Sequence, residues 1–249
     1  MNQYVRVLLL LTALTIRAGA EAAPPSTSEP TRLAPPQPEA ETRLLAASNS
    51  VAVTAAPLYL KVLSVTVFAK QAISAAGADT VIYQTAGTTA VTVGGQRKTL
   101  NVGEAFALKS GQKAELAAGA GVSAFVTFNL VSAEDLGRTL LTAPSIVTEL
   151  FRTPAAIPGL NPGRYELTLS EMTLPANMSD AAPYHHAGAV LYYTVSGSGF
   201  AIAGEKTGLS AGEFVYTPDG LVRQWGTVSD LPLRLVVFSL NPAAPATKP

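Results

Sequence analysis

The chain predicts an all-β protein built from two strand-rich units in tandem, joined by a short helical linker. Three observations carry that expectation. Runs of β-branched and aromatic residues, four or more long and partly alternating, recur between glycine-containing turns. A stretch with Pro154, Pro158 and Pro162 interrupts them midway. The two β units also match each other at an offset of 110, which pairs Tyr83 with Tyr193, Gly87 with Gly197 and Gly94 with Gly204. After one indel the offset is 109, pairing Leu100 with Leu209, Gly103-Glu104 with Gly212-Glu213 and Gly111 with Gly220. Glycines at matching places require the same tight turns twice, so the chain reads as an internal duplication.

In chain order, residues 1–20 contain Arg6, an apolar run from Val7 to Ile16 and the small-residue triplet Ala18-Gly19-Ala20. That is the layout of a secretory signal peptide, cleaved after Ala20 or Ala22. The run is roughly half the ~20 residues a membrane span needs, and Arg17 ends it. The expected product is secreted or periplasmic, with no stable membrane insertion after cleavage. Residues 21–50, with Pro24-Pro25 and Pro35-Pro36, read as a Pro/Ala-rich disordered linker. The first β unit occupies 51–132, with strands at Leu58–Phe68, Thr80–Gln84, Ala90–Val93 and Ser123–Phe128. In the linker, 133–163, Ser145–Phe151 is expected to be a helix with Ser145 as N-cap and Glu149 in its first turn. The second unit, 164–241, opens on the alternating run Tyr165–Leu174 and closes on Leu233–Leu240; residues 242–249 read as a flexible tail.

Of 249 residues, 48% are hydrophobic, enough for a substantial core. Seventeen basic residues balance seventeen acidic ones, so no electrostatic footprint for nucleic acid exists. There is no cysteine, which excludes disulfides, thiol catalysis and thiolate metal ligation.

Candidate chemistry concentrates in Pro183–Trp225, which contains both histidines, His185 and His186. These residues resemble the cupin superfamily of jelly-roll β-barrels in a two-domain (bicupin) arrangement, over roughly Leu58 to Asn241. The family's second motif, G(X)5PXG(X)2H(X)3N, fits in spacing from Gly212 through Pro218-Asp219-Gly220, but its ligand position is Arg223 and its final position is Thr227. Counting back from Gly197 through the first motif, G(X)5HXH(X)3-4E(X)6G, places the glutamate at Val190, the histidine pair at Tyr184 and His186, and the opening glycine at Met178. In the first unit the positions of His186 and Arg223 are Ala76 and Ala114. Strand alternation places His186 and Tyr184 on the inward side and His185 outside.

The resemblance implies two cupin-type barrels in tandem, homodimer formation, and in metal-dependent members a bound iron, manganese, nickel, copper or zinc ion. One imidazole with no carboxylate and a guanidinium nearby is a poor metal site, so no cofactor is expected. The residues point instead to a small polar or anionic molecule held by Tyr184, His186 and Arg223, with Tyr192 or Trp225 on the wall. The rival is a metal-dependent dioxygenase or isomerase in which His186 or His185 is joined by Glu213. A metal-free acid/base pair of His186 and Tyr184 is weaker, lacking a carboxylate to orient the histidine. A structural or partner-binding barrel pair follows if Leu191, Val195 and Phe214 fill the pocket. Ser196-Gly197-Ser198-Gly199 is a turn between strands and no nucleophile elbow.

Overall fold

The computed structural model describes residues 39–54, 57–76, 78–138, 141, 144–178, 184–185, 187–218, 220–222 and 224–243, with backbone alone at 49–50 and 184–185. All belong to one compact unit, Pro38–Pro249. The expected signal and most of the spacer lie outside the described residues, as do 244–249 of the tail.

Every regular element among the described residues is a strand. The first half of the chain contributes β1 (Glu41–Val53), β2 (Leu58–Val67), β3 (Ala72–Ala76), β4 (Asp79–Ala86), β5 (Thr89–Val93), β6 (Gln96–Leu100), β7 (Ala105–Leu108), β8 (Lys113–Ala118) and β9 (Ser123–Ser132). The second contributes β10 (Ile146–Arg152), β11 (Gly163–Leu174), β12 (Tyr184–His185), β13 (Ala189–Ser196), β14 (Ser198–Ala203), β15 (Glu205–Ser210), β16 (Phe214–Thr217), β17 (Leu221–Val222), β18 (Gln224–Thr227) and β19 (Leu233–Pro242).

Two five-stranded sheets, ordered β10-β2-β9-β4-β7 and β1-β11-β19-β13-β16, form the centre. Smaller sheets, β3-β8-β5-β6 in the first half and β15-β14-β18 with β12-β17 in the second, complete the fold. Side-chain alternation explains the layering. On β19, Val236, Phe238 and Leu240 enter a central cluster with Val62, Val81 and Phe128 of the other large sheet, where Phe128 stacks on Phe238 at 5.5 Å. Leu233, Leu235 and Val237 point the other way, into a second cluster with Ala201, Leu209 and Trp225. The first half repeats this, with Val65, Ile82 and Phe125 packed on Ile73, Val91 and Leu116. Both large sheets are therefore buried on both faces, and each such aliphatic or aromatic side chain contributes roughly 1.5–3 kcal/mol.

Strand pairing repeats at the offsets seen in the sequence. Thr80 lies opposite Leu108 as Val190 lies opposite Thr217, and Val91 opposite Leu116 as Ala201 opposite Trp225. The Gly-Glu turns repeat as well: Asn101 N–H donates to the Glu104 carboxylate and Ser210 N–H to that of Glu213. Gly103 and Gly212, both at positive φ, close them.

Two expectations are corrected. The segment read as a helix, 145–151, is strand β10, so no helical linker exists among these residues. Ile146, Val147 and Thr148 are three consecutive β-branched residues, which a helix disfavours, and the free edge of β2 offers them a hydrogen-bonding partner. A bulge between Glu149 and Phe151 lets Val147 pack on the first-half cluster and Phe151 on the central one. The spacer expected to reach residue 50 gives way to strand at Glu41. Its polar residues disguised a strand that buries Val51 and Val53 in the central cluster. The two strands are exchanged: β1 precedes the first half yet pairs with β11, and β10 precedes the second yet pairs with β2.

One ion cluster pins β1. Arg43, opposite Glu171 in register, donates from Nη2 to Glu171 Oε2 at 2.7 Å, while Arg234 donates to Oε1. Burial opposes ionisation of Glu171, but the guanidinium groups of Arg234 and Arg43 override it and hold the carboxyl below its ordinary value. Between that lowered value and the ordinary one the unfolded chain binds more protons, so stability rises with pH there. The pair's stabilisation is present above the ordinary value and is lost as pH falls through the lowered one.

Urea midpoints measured from about pH 7 down to about pH 3 should therefore fall on acidification, and Glu171→Gln should flatten the part of that fall due to this group. Equal slopes in both proteins would contradict this account. A second expectation concerns the matched turns. A Cβ on Gly197 (φ +84°) would lie 2.4 Å from the Pro232 carbonyl oxygen, and one on Gly87 (φ +66°) 2.3 Å from that of Val122. Gly94 (φ +56°) has open space around it. Gly94→Ala should cost about 1–2 kcal/mol for the left-handed backbone alone, and Gly197→Ala clearly more, as read from denaturant unfolding.

Candidate functional site

The second-half interior is built from alternate residues of several strands. Val190, Tyr192 and Thr194 come from β13, Val215 and Thr217 from β16, Val222 from β17 and Trp225 from β18. Met172 and Leu174 of β11 and the inward residues of β19 close the far side. Tyr192 and Trp225 were expected on the wall of a pocket. They are instead fully buried and meet edge to face, with ring centroids 4.7 Å apart at 63°. These large flat side chains pack against each other across facing strands, and the edge-to-face contact adds about 0.5–1.5 kcal/mol beyond burial.

Polar atoms remain in this apolar setting. Trp225 Nε1, Thr217 Oγ1 and Thr194 Oγ1 are buried and have no hydrogen-bond partner among the described residues. Leaving such a group unpaired costs about 1–3 kcal/mol. The duplication shows that the scaffold does not require Thr217 or Trp225, whereas the counterpart of Thr194 is the buried Gln84, whose Oε1 is also unpaired among the described residues. The first-half counterparts of Tyr192, Thr217 and Trp225 are Ile82, Leu108 and Leu116, all buried and apolar. Thr217 was missed in the sequence; its alignment with Leu108 was the available signal.

Of the remaining expected residues, only the backbone of Tyr184 and His185 is described. Tyr184 pairs with Val222 and His185 with Leu221, through the backbone of β12 and β17. Their side chains, and His186 and Arg223 entirely, lie outside the described residues. Val222 and Trp225 both enter the interior cluster although three residues apart, so the alternation breaks between β17 and β18. The first half has no such break: Ala114, Leu116 and Ala118 alternate inward. There Ala75 lies opposite Ala114 and is buried, while Ala76, the counterpart of His186, is exposed. A void of about 10 Å³ beside Ala75, Thr80, Asn129 and Leu141 is marginal for one water.

The described residues do not form a metal centre. Val190, at the position of a ligating glutamate, is buried among aliphatic and aromatic groups and has no donor atom. Glu213 is exposed, and its carboxylate accepts from Ser210 N–H within the turn, as Glu104 does from Asn101, so its role is structural in both halves. Among the described residues no three histidine, aspartate or glutamate side chains come together. Thr227, at the motif's final position, is a latch: its hydroxyl donates to Pro175 O at 3.0 Å and accepts from Met178 N–H at 2.8 Å. Leu191, Val195 and Phe214 face the central cluster between the large sheets and do not fill the second-half interior.

No protein-family model matches the chain, and no curated protein matches it. Solved structures do. AerE from Microcystis aeruginosa superimposes with a TM-score of 0.52 at 12% identity, over 78% of this chain and 98% of that one. A putative glyoxylate induced protein from Pseudomonas aeruginosa gives 0.52 at 10% identity, over 86% and 85%. A cupin 2 conserved barrel domain protein from Leptotrichia buccalis gives 0.44 at 13% identity, over 82% and 91%, too low a score to bear on the fold. At such identities the likeness to AerE and to the glyoxylate induced protein is one of all-β architecture alone.

Proposed function

We propose that this chain is an exported two-barrel cupin that binds a small polar or anionic molecule in the interior of its second half without using a metal. One observation carries the reading: buried polar atoms without partners among the described residues, Trp225 Nε1 and Thr217 Oγ1, stand where the other half has leucines. A ligand or its ordered water that pairs them removes a desolvation penalty the free protein bears. By motif position, Arg223 would supply a fork for a carboxylate or phosphate, and Tyr184 and His186 directional hydrogen bonds. The cupin assignment is supported by the motif spacing Gly212 to Gly220, by the repeated turns and by the matching strand registers of the two halves. The absence of a donor at Val190 supports the metal-free form. Export rests on the N-terminal pattern, and the proposed assembly is a homodimer.

Two results follow for the purified protein. Thr217→Val, which replaces an unpartnered hydroxyl by a methyl group, should stabilise the free protein by about 1 kcal/mol in denaturant unfolding. A loss of stability would mean that the hydroxyl is already paired in solution. A thermal-shift screen with small carboxylates, sugar acids and polyols should give a raised melting temperature for one chemical class, which Thr217→Val and Arg223→Ala each reduce. A shift that survives both substitutions places the ligand elsewhere. No shift with any class leaves a structural pair of barrels.

A further inference from the structure

A second cleft lies between the two five-stranded sheets, away from the interior just described. It has a volume of about 320 Å³ and is lined by Tyr83, Thr85, Val102, Gly103, Tyr193, Val195 and Arg234. Tyr83 and Tyr193 are counterparts at the offset of 110, as are Thr85 and Val195, so the cleft sits where the duplicated halves face each other.

Its polar groups include two phenol hydroxyls and a guanidinium that are held in place. The Tyr83 ring is buried in the central cluster, and Tyr193 stacks on Phe214 at 4.8 Å with Phe128 edge-on at 6.4 Å. Neither hydroxyl has a hydrogen-bond partner among the described residues. Burial raises the pKa of both phenols above the ordinary value, and for Tyr83 the nearby Glu171 adds to it, so both stay protonated. Arg234 is fixed by Glu171, which takes its Nε and Nη2, and Nη1 makes no protein hydrogen bond among the described residues. Both oxygens of Glu171 are occupied by guanidinium groups, so the trio with Arg43 carries one net positive charge. Donors and positive charge fixed in advance select an anion.

Beside these donors the walls are apolar. Val195 and the exposed Val102 on the rim stand next to the tyrosine rings. The volume is at the small end of the ~300–1,000 Å³ typical of ligand sites, which excludes a nucleotide. The charged pair also breaks the local symmetry. By strand register, the first-half counterparts of Arg234 and Glu171 are Ala124 and Ser64. An anionic group is thus drawn to the second-half side, leaving an apolar body against Val102 and Val195.

We infer that this cleft is a second binding site, for a small monocarboxylate with an apolar body, gripped by the hydroxyls of Tyr83 and Tyr193 and by Arg234.

Calorimetric titration of the full chain tests this, with benzoate as probe, benzamide as its neutral isostere and inorganic phosphate as an anion without an apolar body. Benzoate should bind at least tenfold more tightly than benzamide or phosphate. Tyr83→Phe and Tyr193→Phe keep the buried rings, and each should weaken benzoate about fivefold, the double variant more. Thr217→Val separates the two sites: benzoate affinity that survives it is held in this cleft and not in the second-half interior. The inference is overturned if benzoate does not bind at tens of millimolar, if the double variant binds as tightly as the parent, or if Thr217→Val abolishes binding. Phosphate binding as tight as benzoate overturns the apolar part of the assignment. Arg234→Lys serves as a second probe of the charge, and unchanged benzoate affinity in that variant, with an unchanged melting temperature, would also count against it.

Discussion

The structure depends on two sheets that are buried on both faces and that are each completed by a strand from the other end of the duplication. β1 covers the free edge of β11, and β10 covers the free edge of β2. An uncovered edge of that length would present unpaired N–H and C=O groups to any passing strand. The exchange moves the open edge outward to β1 and β10 and makes the halves mutually dependent, because neither large sheet reaches five strands alone. The central cluster then fastens the two sheets face to face through Phe128, Phe238 and their neighbours.

That frame gives one set of strands two jobs. On β13, Tyr192 enters the second-half interior and Tyr193 the cleft between the sheets. On β19, Leu233 and Leu235 enter the interior and Arg234 the cleft. The two-residue period of a strand separates the environments by a single step along the chain. A one-residue register slip would exchange them, placing Arg234 in an apolar core and Leu235 in the polar cleft, so the register is strongly specified.

Much of this was legible in the sequence. The β-branched runs, the glycine-edged turns and the duplication all rest on local pattern, and the pairing of Thr80 with Leu108 and of Val190 with Thr217 repeats as the offset requires. The exchanged edge strands were not legible. β10 is exposed along most of its length, so it lacks the apolar alternation that marks a half-buried strand, and β1 hides among polar residues. Long-range placement was also beyond local pattern. Glu171 and Arg234 stand 63 residues apart and meet only through the β11–β19 register. Tyr83 and Tyr193 were visible as a matched pair, but nothing in either segment says that they face one another across a cleft. The expected alternation of Tyr184 and His186 falls on side chains outside the described residues.

The duplication also explains how the second half tolerates what the first does not contain. Three buried unpaired groups, at about 1–3 kcal/mol each, are a large fraction of the 5–15 kcal/mol that a domain has in total. A lone barrel with Thr217, Thr194 and Trp225 in its interior would stand near the edge of stability. Here the interior of the first half is packed with Ile82, Leu108 and Leu116, and the exchanged strands and central cluster couple it to the second. Stability gathered in one copy is shared by both, so one copy can keep Leu108 and Leu116 where the other carries the polar atoms of Thr217 and Trp225, while both carry a buried polar residue at the position of Gln84 and Thr194. The asymmetry of the cleft follows the same division, with the charged pair Glu171 and Arg234 on the second-half side and Ser64 and Ala124 opposite.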